Sequence, residues 1–105
     1  MAWISLFIAG LLEVVWAYFM KQSAGFTRLV PSVACLLSMF ASFGLLGFAM
    51  RSLPLGASYM IWTGIGAVGA FVVGIVALGE PANLPRIAAA VLIVSGLALM
   101  KFTTA

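Results

Sequence analysis

Four long apolar runs, separated by short polar connections, constrain most strongly how this chain can fold. The first run, Ala2–Met20, has Glu13 near its centre as its one charged residue. About 20 predominantly apolar residues suffice for a helix to cross a bilayer. The last run is the shortest, but Arg86 and Lys101 at its ends can snorkel to opposite interfaces. The sequence therefore predicts an all-α integral membrane protein, a single domain over residues 1–105, with four short transmembrane helices near residues 2–20, 29–50, 57–78 and 86–102.

Composition and charge exclude several other classes of protein. The chain is 66% hydrophobic and 7% charged, which leaves no room for a separate soluble domain. Its five basic residues are scattered singly, so no nucleic-acid partner is predicted. Nothing resembles a nucleophile–base pair, a metal-ligand cluster or a phosphate-binding loop, so we expect a transporter rather than an enzyme, without a cofactor or a metal. Cys35 is interpreted as a small buried hydrophobe.

Glu13 is the residue from which a function can be inferred. Burying a carboxylate at membrane depth costs roughly 2.5–3.5 kcal/mol on insertion scales, and such residues usually line an interior path for ions or substrates. The alternative is a structural hydrogen bond between helices.

Small and polar residues on three of the predicted helices can face one common interior. At helical spacing the residues that share these faces are Gly10, Trp16 and Ala17 around Glu13 on the first helix, Ser38 and Ser42 on the second, and Tyr59, Trp62, Thr63 and Gly66 on the third. Taken singly, each has an ordinary explanation, such as a serine bonded to its own helix or an aromatic ring at the membrane interface. Their convergence predicts a binding site.

Two further patterns concern helix contacts. Gly64 and Gly66 permit either close helix packing or a hinge, and the sequence leaves both open. On the last helix Ala88, Leu92 and Gly96 share one face, with Ala89 and Ile93 beside it, and a small-xxx-small pattern of this sort favours helix–helix contact. The predicted dimer-packing residues are Ala88, Ala89, Leu92, Ile93 and Gly96.

The distribution of basic residues predicts two orientations in the membrane. Lys21, Arg28 and Arg86 fall on one side, and Arg51 and Lys101 on the other. This bias is weak under the positive-inside rule, so both insertions are expected and an antiparallel homodimer can form. A four-helix bundle would leave little space for a substrate within one chain, which also favours a dimer.

At this point four stretches carry a resemblance: EVVWA at Glu13–Ala17, GFTRLVPS at Gly25–Ser32, SLPLG at Ser52–Gly56 and YMIWTGIGAVG at Tyr59–Gly69. The chain resembles the small multidrug resistance family of four-helix exporters, and within it the guanidinium-exporter branch.

The resemblance implies a dual-topology, antiparallel homodimer in the bacterial inner membrane. It also implies that Glu13 binds both proton and substrate, with Trp16, Ser42, Tyr59 and Trp62 around it. Gly10, Ala17, Ser38, Met60 and Thr63 are the predicted substrate-site lining. Met60 stands where the branch usually has alanine, and Ala89 where the family's dimer motif usually has glycine.

The chemistry of these residues is compatible with guanidinium as the substrate. A planar guanidinium matches a carboxylate bidentately, and a desolvated cation over an aromatic face gains ~2 kcal/mol or more. Proton-coupled export by alternating access is the expected function. The alternatives are export of quaternary ammonium and other lipophilic cations, a passive cation channel, and a structural membrane partner without a substrate.

Overall fold

The computed structural model describes residues 1–104, and four helices account for most of them. Helix α1 comprises Ala2–Gln22, α2 Leu29–Ala49, α3 Leu55–Leu78 and α4 Leu84–Thr103. Each helix is long and apolar enough to cross a membrane. The helix ends differ from the predicted ones by no more than two residues.

The α1–α2 connection is held by Ser23. Its buried hydroxyl donates to the carbonyl of Met20 at 2.7 Å and accepts the N–H of Phe26 at 3.0 Å. Gly25 adopts φ +77° in this turn, a left-handed conformation that glycine tolerates without strain. The connection is therefore a tight turn that brings α2 back beside α1.

The α3–α4 connection has clear stop and start signals. Gly79 ends α3 in the left-handed conformation, with φ 69°. Asn83 caps α4 because its side-chain oxygen accepts the N–H of Arg86 at 3.0 Å. Pro85 stands in the first turn of α4, where its missing N–H costs nothing.

The helices form a broad, thin layer. α1 packs between α2 and α3, and α4 packs along the other side of α3. The Cα atoms extend over 42 × 34 × 16 Å, so the closed bundle expected from the sequence is wrong. The buried apolar cluster lies where the first three helices meet, and its members are Leu6, Ala9, Leu46, Ala49, Leu53, Ile61 and Trp62. No residue of α4 is buried.

Candidate functional site

Glycines bring α1 and α3 into close contact. A Cβ atom at Gly10 would lie 2.6 Å from Cγ2 of Ile65, and a Cβ atom at Gly66 would collide with the carboxylate of Glu13. Each glycine therefore makes room for a side chain of the opposite helix. The two helices approach along the face that carries Glu13.

Glu13 lies half-buried in this contact with its carboxylate against Gly66. Its Oε1 atom is buried and has no hydrogen-bond partner among residues 1–104. Burying an oxygen of a carboxylate without a partner is costly, and nearly all buried polar groups in proteins are paired. A proton or a bound cation could supply the partner that this oxygen atom lacks.

Ser42 connects the three helices of the layer that contribute to the core. Its hydroxyl donates to the carbonyl of Ala9 on α1 at 2.7 Å and accepts the indole N–H of Trp62 on α3 at 3.0 Å. All three residues are buried. This bonding fixes the indole plane of Trp62, so the ring presents one defined orientation.

Ser38, in contrast, bonds its own helix. Its hydroxyl donates to the carbonyl of Ala34 at 2.7 Å. The self-bonded alternative considered for serines in the sequence therefore describes Ser38, whereas Ser42 bonds across helices.

Aromatic rings gather around Trp62. The ring centroid of Tyr59 lies 5.6 Å from that of Trp62, and the centroid of Phe43 lies 5.9 Å away in an edge-to-face arrangement. Phe43 was missed by the sequence analysis because it is one of eight phenylalanines in an apolar chain, and only its place next to Ser42 could have singled it out. On α1, the indole N–H of Trp16 is buried without an acceptor among the described residues.

Apart from Ser38, the predicted lining residues divide among three places. Gly10 lies in the α1–α3 contact against Ile65. Ala17 borders a cavity of about 220 Å³ further along the same contact. Met60 and Thr63 border a mostly apolar cavity of about 450 Å³ between α3 and α4, which Tyr59 also lines. Tyr59 is thus the residue shared by this cavity and the aromatic group at Trp62.

Gly64 and Gly66 both make close contacts, on different sides of α3. A Cβ atom at Gly64 would collide with Leu97 of α4, just as one at Gly66 would collide with Glu13 of α1. α3 runs as one α-helix through both positions. Close packing is therefore present at both glycines, and their role as a hinge stays a prediction.

The predicted dimer-packing residues lie on the exposed helix. Ala89, Ile93 and Gly96 border cavities against α3. Ala88 and Leu92 are exposed, Leu92 at 72% of its surface. Contact with a second copy through these residues stays a prediction.

Four membrane-length helices, the first of which carries a carboxylate with an unpaired buried oxygen, are typical of a multi-pass membrane transporter. A family model described as Small Multidrug Resistance protein matches residues 1–93. The chain belongs to this family of exporters, and it is a multi-pass protein of the inner membrane.

Several relatives are similar over their whole length. A guanidinium exporter of Escherichia coli (strain K12) is 56% identical over 104 residues, which cover 99% of each chain. A guanidinium exporter of Yersinia pestis is 55% identical, with 99% of this chain and 100% of the relative covered. A guanidinium exporter of Citrobacter freundii is 52% identical, with 99% of each chain covered.

Proposed function

We propose that this protein exports guanidinium and small substituted guanidinium cations in exchange for protons. The observation that carries the proposal is the Oε1 atom of Glu13, which is buried against Gly66 without a hydrogen-bond partner among residues 1–104. Relatives that cover the whole chain at 52–56% identity are named guanidinium exporters, which supports the choice of substrate.

The substrate would be held by a carboxylate and by aromatic faces. The planar N–H fork of guanidinium matches the two oxygens of the Glu13 carboxylate, and charge-assisted bonds of this kind are about twice as strong as neutral ones. Trp62 and Tyr59, with centroids 5.6 Å apart, offer π faces to a desolvated cation. Because Ser42 holds the Trp62 indole, this part of the site is organised before the substrate arrives.

Proton and cation would exclude each other at Glu13. A cation pairs with the ionised carboxylate and not with the protonated acid. Lowering the pH increases the protonated fraction, so the apparent affinity for guanidinium should fall as pH falls and rise as pH rises. This competition would couple outward movement of the cation to inward movement of protons.

Alternating access would be provided by an antiparallel homodimer. The near-equal numbers of basic residues on the two sides permit both orientations of one chain, and opposed copies form an inverted repeat. Two copies of Glu13 would then meet at the substrate site. α4 has no buried residue in the single chain, so its apolar surface is available for the second copy.

Transport in proteoliposomes tests the function directly. Glu13→Gln should abolish proton-coupled guanidinium uptake, because the amide neither ionises nor pairs with a cation, whereas Glu13→Asp should retain uptake with an altered pH dependence. Gly47→Ala is the matched control, since a Cβ atom there meets nothing within 4 Å. Guanidinium affinity that stays constant from mildly acidic to alkaline pH would refute competition at Glu13.

A second candidate function is export of quaternary ammonium and other lipophilic cations. It is favoured by the mostly apolar cavity of about 450 Å³ that Tyr59 and Met60 border, which has room for a hydrophobic substituent. Currents measured with guanidinium, methylguanidinium and a tetraalkylammonium separate the two. Larger currents with tetraalkylammonium than with guanidinium would favour this second function.

Dual topology is tested by labelling. A cysteine introduced into the connection between α1 and α2, in a variant without Cys35, should react with an impermeant reagent from both sides of the membrane. Labelling from one side alone would exclude an antiparallel dimer built from this chain.

A further inference from the structure

Both acidic residues of the chain rest on glycines of α3. Glu13 lies on Gly66, and Glu80 lies in the same manner on Gly74, where a Cβ atom would come within 2.9 Å of the carboxyl carbon of Glu80. Both glycines are buried. They are eight positions apart in the sequence, which corresponds to about 12 Å along a helix.

The backbone at the end of α3 directs Glu80 back onto the helix. Gly79 is left-handed, and the N–H of Glu80 then donates to the carbonyl of Gly74 at 3.0 Å. A glutamate on an ordinary solvated loop needs no glycine beneath its carboxylate. Glu80 remains exposed, but its position is defined.

Glu80 borders the cavity of about 220 Å³ that lies between α1 and α3. Tyr18 and Lys21 of α1 border the same cavity. At its inner end lies Val14, the neighbour of Glu13 in the sequence, whose side chain rests on Gly69. The cavity thus runs along the α1–α3 contact that also holds Glu13. The side chain of Val14 closes the end of the cavity that is nearer to Glu13.

The electrostatics of this end of the layer favour a cation. α1 and α3 both end here, and the C-terminus of a helix carries a partial negative charge. The carboxylate of Glu80 adds a full negative charge at the same place. Lys21 is the positive group that borders the cavity, so its ammonium competes with any mobile cation for Glu80.

We infer that Glu80 on Gly74 is a second cation-binding carboxylate, an outer site that takes up a guanidinium-type monovalent cation at the membrane surface on its way to or from Glu13. The inference rests on the proposed export of guanidinium. Val14, packed on Gly69, separates the two carboxylates within the α1–α3 contact. The outer site raises the local concentration of substrate, and its contribution is therefore to capture and not to the maximal rate.

The test measures KM and the maximal rate of guanidinium transport separately in proteoliposomes. Glu80→Gln should raise KM for guanidinium about two- to fivefold at low ionic strength, the range that a partly exposed ion pair supplies, with an unchanged maximal rate. The difference from wild type should vanish at about 1 M salt, because the Debye length there is about 3 Å. Lys21→Gln should lower KM under the same low-salt conditions.

Gly74→Ala tests the geometry, because its Cβ atom must displace the Glu80 carboxylate. It should raise KM as Glu80→Gln does, and the double variant should be no worse than either single one. Gly47→Ala is the matched control on α2. Thermal unfolding in detergent should be unchanged in Glu80→Gln.

Three results would overturn the inference: an unchanged KM in Glu80→Gln at every salt concentration, a lowered maximal rate in that variant, or full additivity with Gly74→Ala. Transport by the wild-type protein shows whether the outer site or the proposed function has failed. If wild type does not transport guanidinium, the proposed function fails, whereas normal transport by both wild type and Glu80→Gln refutes the outer site alone.

Discussion

The two contacts that α3 makes with its neighbours differ in extent and in content. On the α1 side, Ile65 packs against Gly10, and Glu13 packs against Gly66. The Oε1 atom of Glu13 lies between the helices without a hydrogen-bond partner among residues 1–104. On the α4 side, Gly64 is packed against Leu97, and the cavities of about 450 and 270 Å³ are lined mostly by apolar side chains with no acidic residue among them. Cavities border both contacts, so the difference lies in what each contact holds. α4 itself has no buried residue.

The two contacts therefore differ in function: the α1–α3 contact positions the Glu13 carboxylate, and the α3–α4 contact does not. Side chains packed on glycine backbone cannot shift without cost, so the α1–α3 contact can hold a carboxylate in one position. The α3–α4 contact is less extensive and positions no carboxylate. We therefore expect substitutions on the α1 side of α3 to impair binding, and equivalent substitutions on the α4 side to be tolerated.

Among substitutions of residues that position other side chains, the largest effect is expected for Gly66→Ala. The new methyl group would occupy the place of the Glu13 carboxylate, and overpacking of this kind costs about 1–3 kcal/mol, so guanidinium affinity should fall about tenfold or more. Isothermal titration in detergent measures the affinity, with Gly47→Ala as the exposed control. Wild-type affinity in Gly66→Ala would mean that the contact does not position Glu13.

A smaller loss is expected for Ser42→Ala. This change leaves the buried indole N–H of Trp62 without its acceptor, a penalty of about 1–3 kcal/mol that is shared between folding and binding. Thermal unfolding and guanidinium affinity should both decrease. Ser95→Ala is the matched control, because the Ser95 hydroxyl donates to the Val91 carbonyl of its own exposed helix at 2.8 Å. Equal effects of the two changes would remove the special role of Ser42.

The smallest effect is expected for Gly64→Ala. Its methyl group would collide with the Cγ and both Cδ atoms of Leu97, but this side chain belongs to the exposed helix α4 and borders the 450 Å³ cavity, into which it can move. The loss in unfolding free energy should stay below about 1 kcal/mol, since alanine also has the better helix propensity. Slower transport with unchanged stability and affinity would instead support the hinge that the sequence left open.

Much of the fold could be predicted from local sequence. Uninterrupted apolar runs of about 20 residues determine helices that cross a membrane, because an unpaired backbone is too costly in lipid. The same reasoning pointed to Glu13, since a carboxylate within such a run has a large desolvation cost whatever surrounds it. The helical spacing of Tyr59 and Trp62 also placed two rings on one face correctly.

Only the tertiary structure determined which helices contact one another and through which faces. In a soluble protein the polar side of a helix marks the outside, but in α1 to α4 nearly every side is apolar, and apolar patterning does not specify which helices touch. The sequence therefore could not distinguish a bundle from a layer, or Ser42 bonded to Trp62 from Ser38 bonded to its own helix. It also could not show that Glu13 lies on Gly66, because this contact joins residues far apart in the chain and arises only when the helices pack. The contact of Glu80 with Gly74 depends in turn on the left-handed conformation of Gly79 at the end of α3.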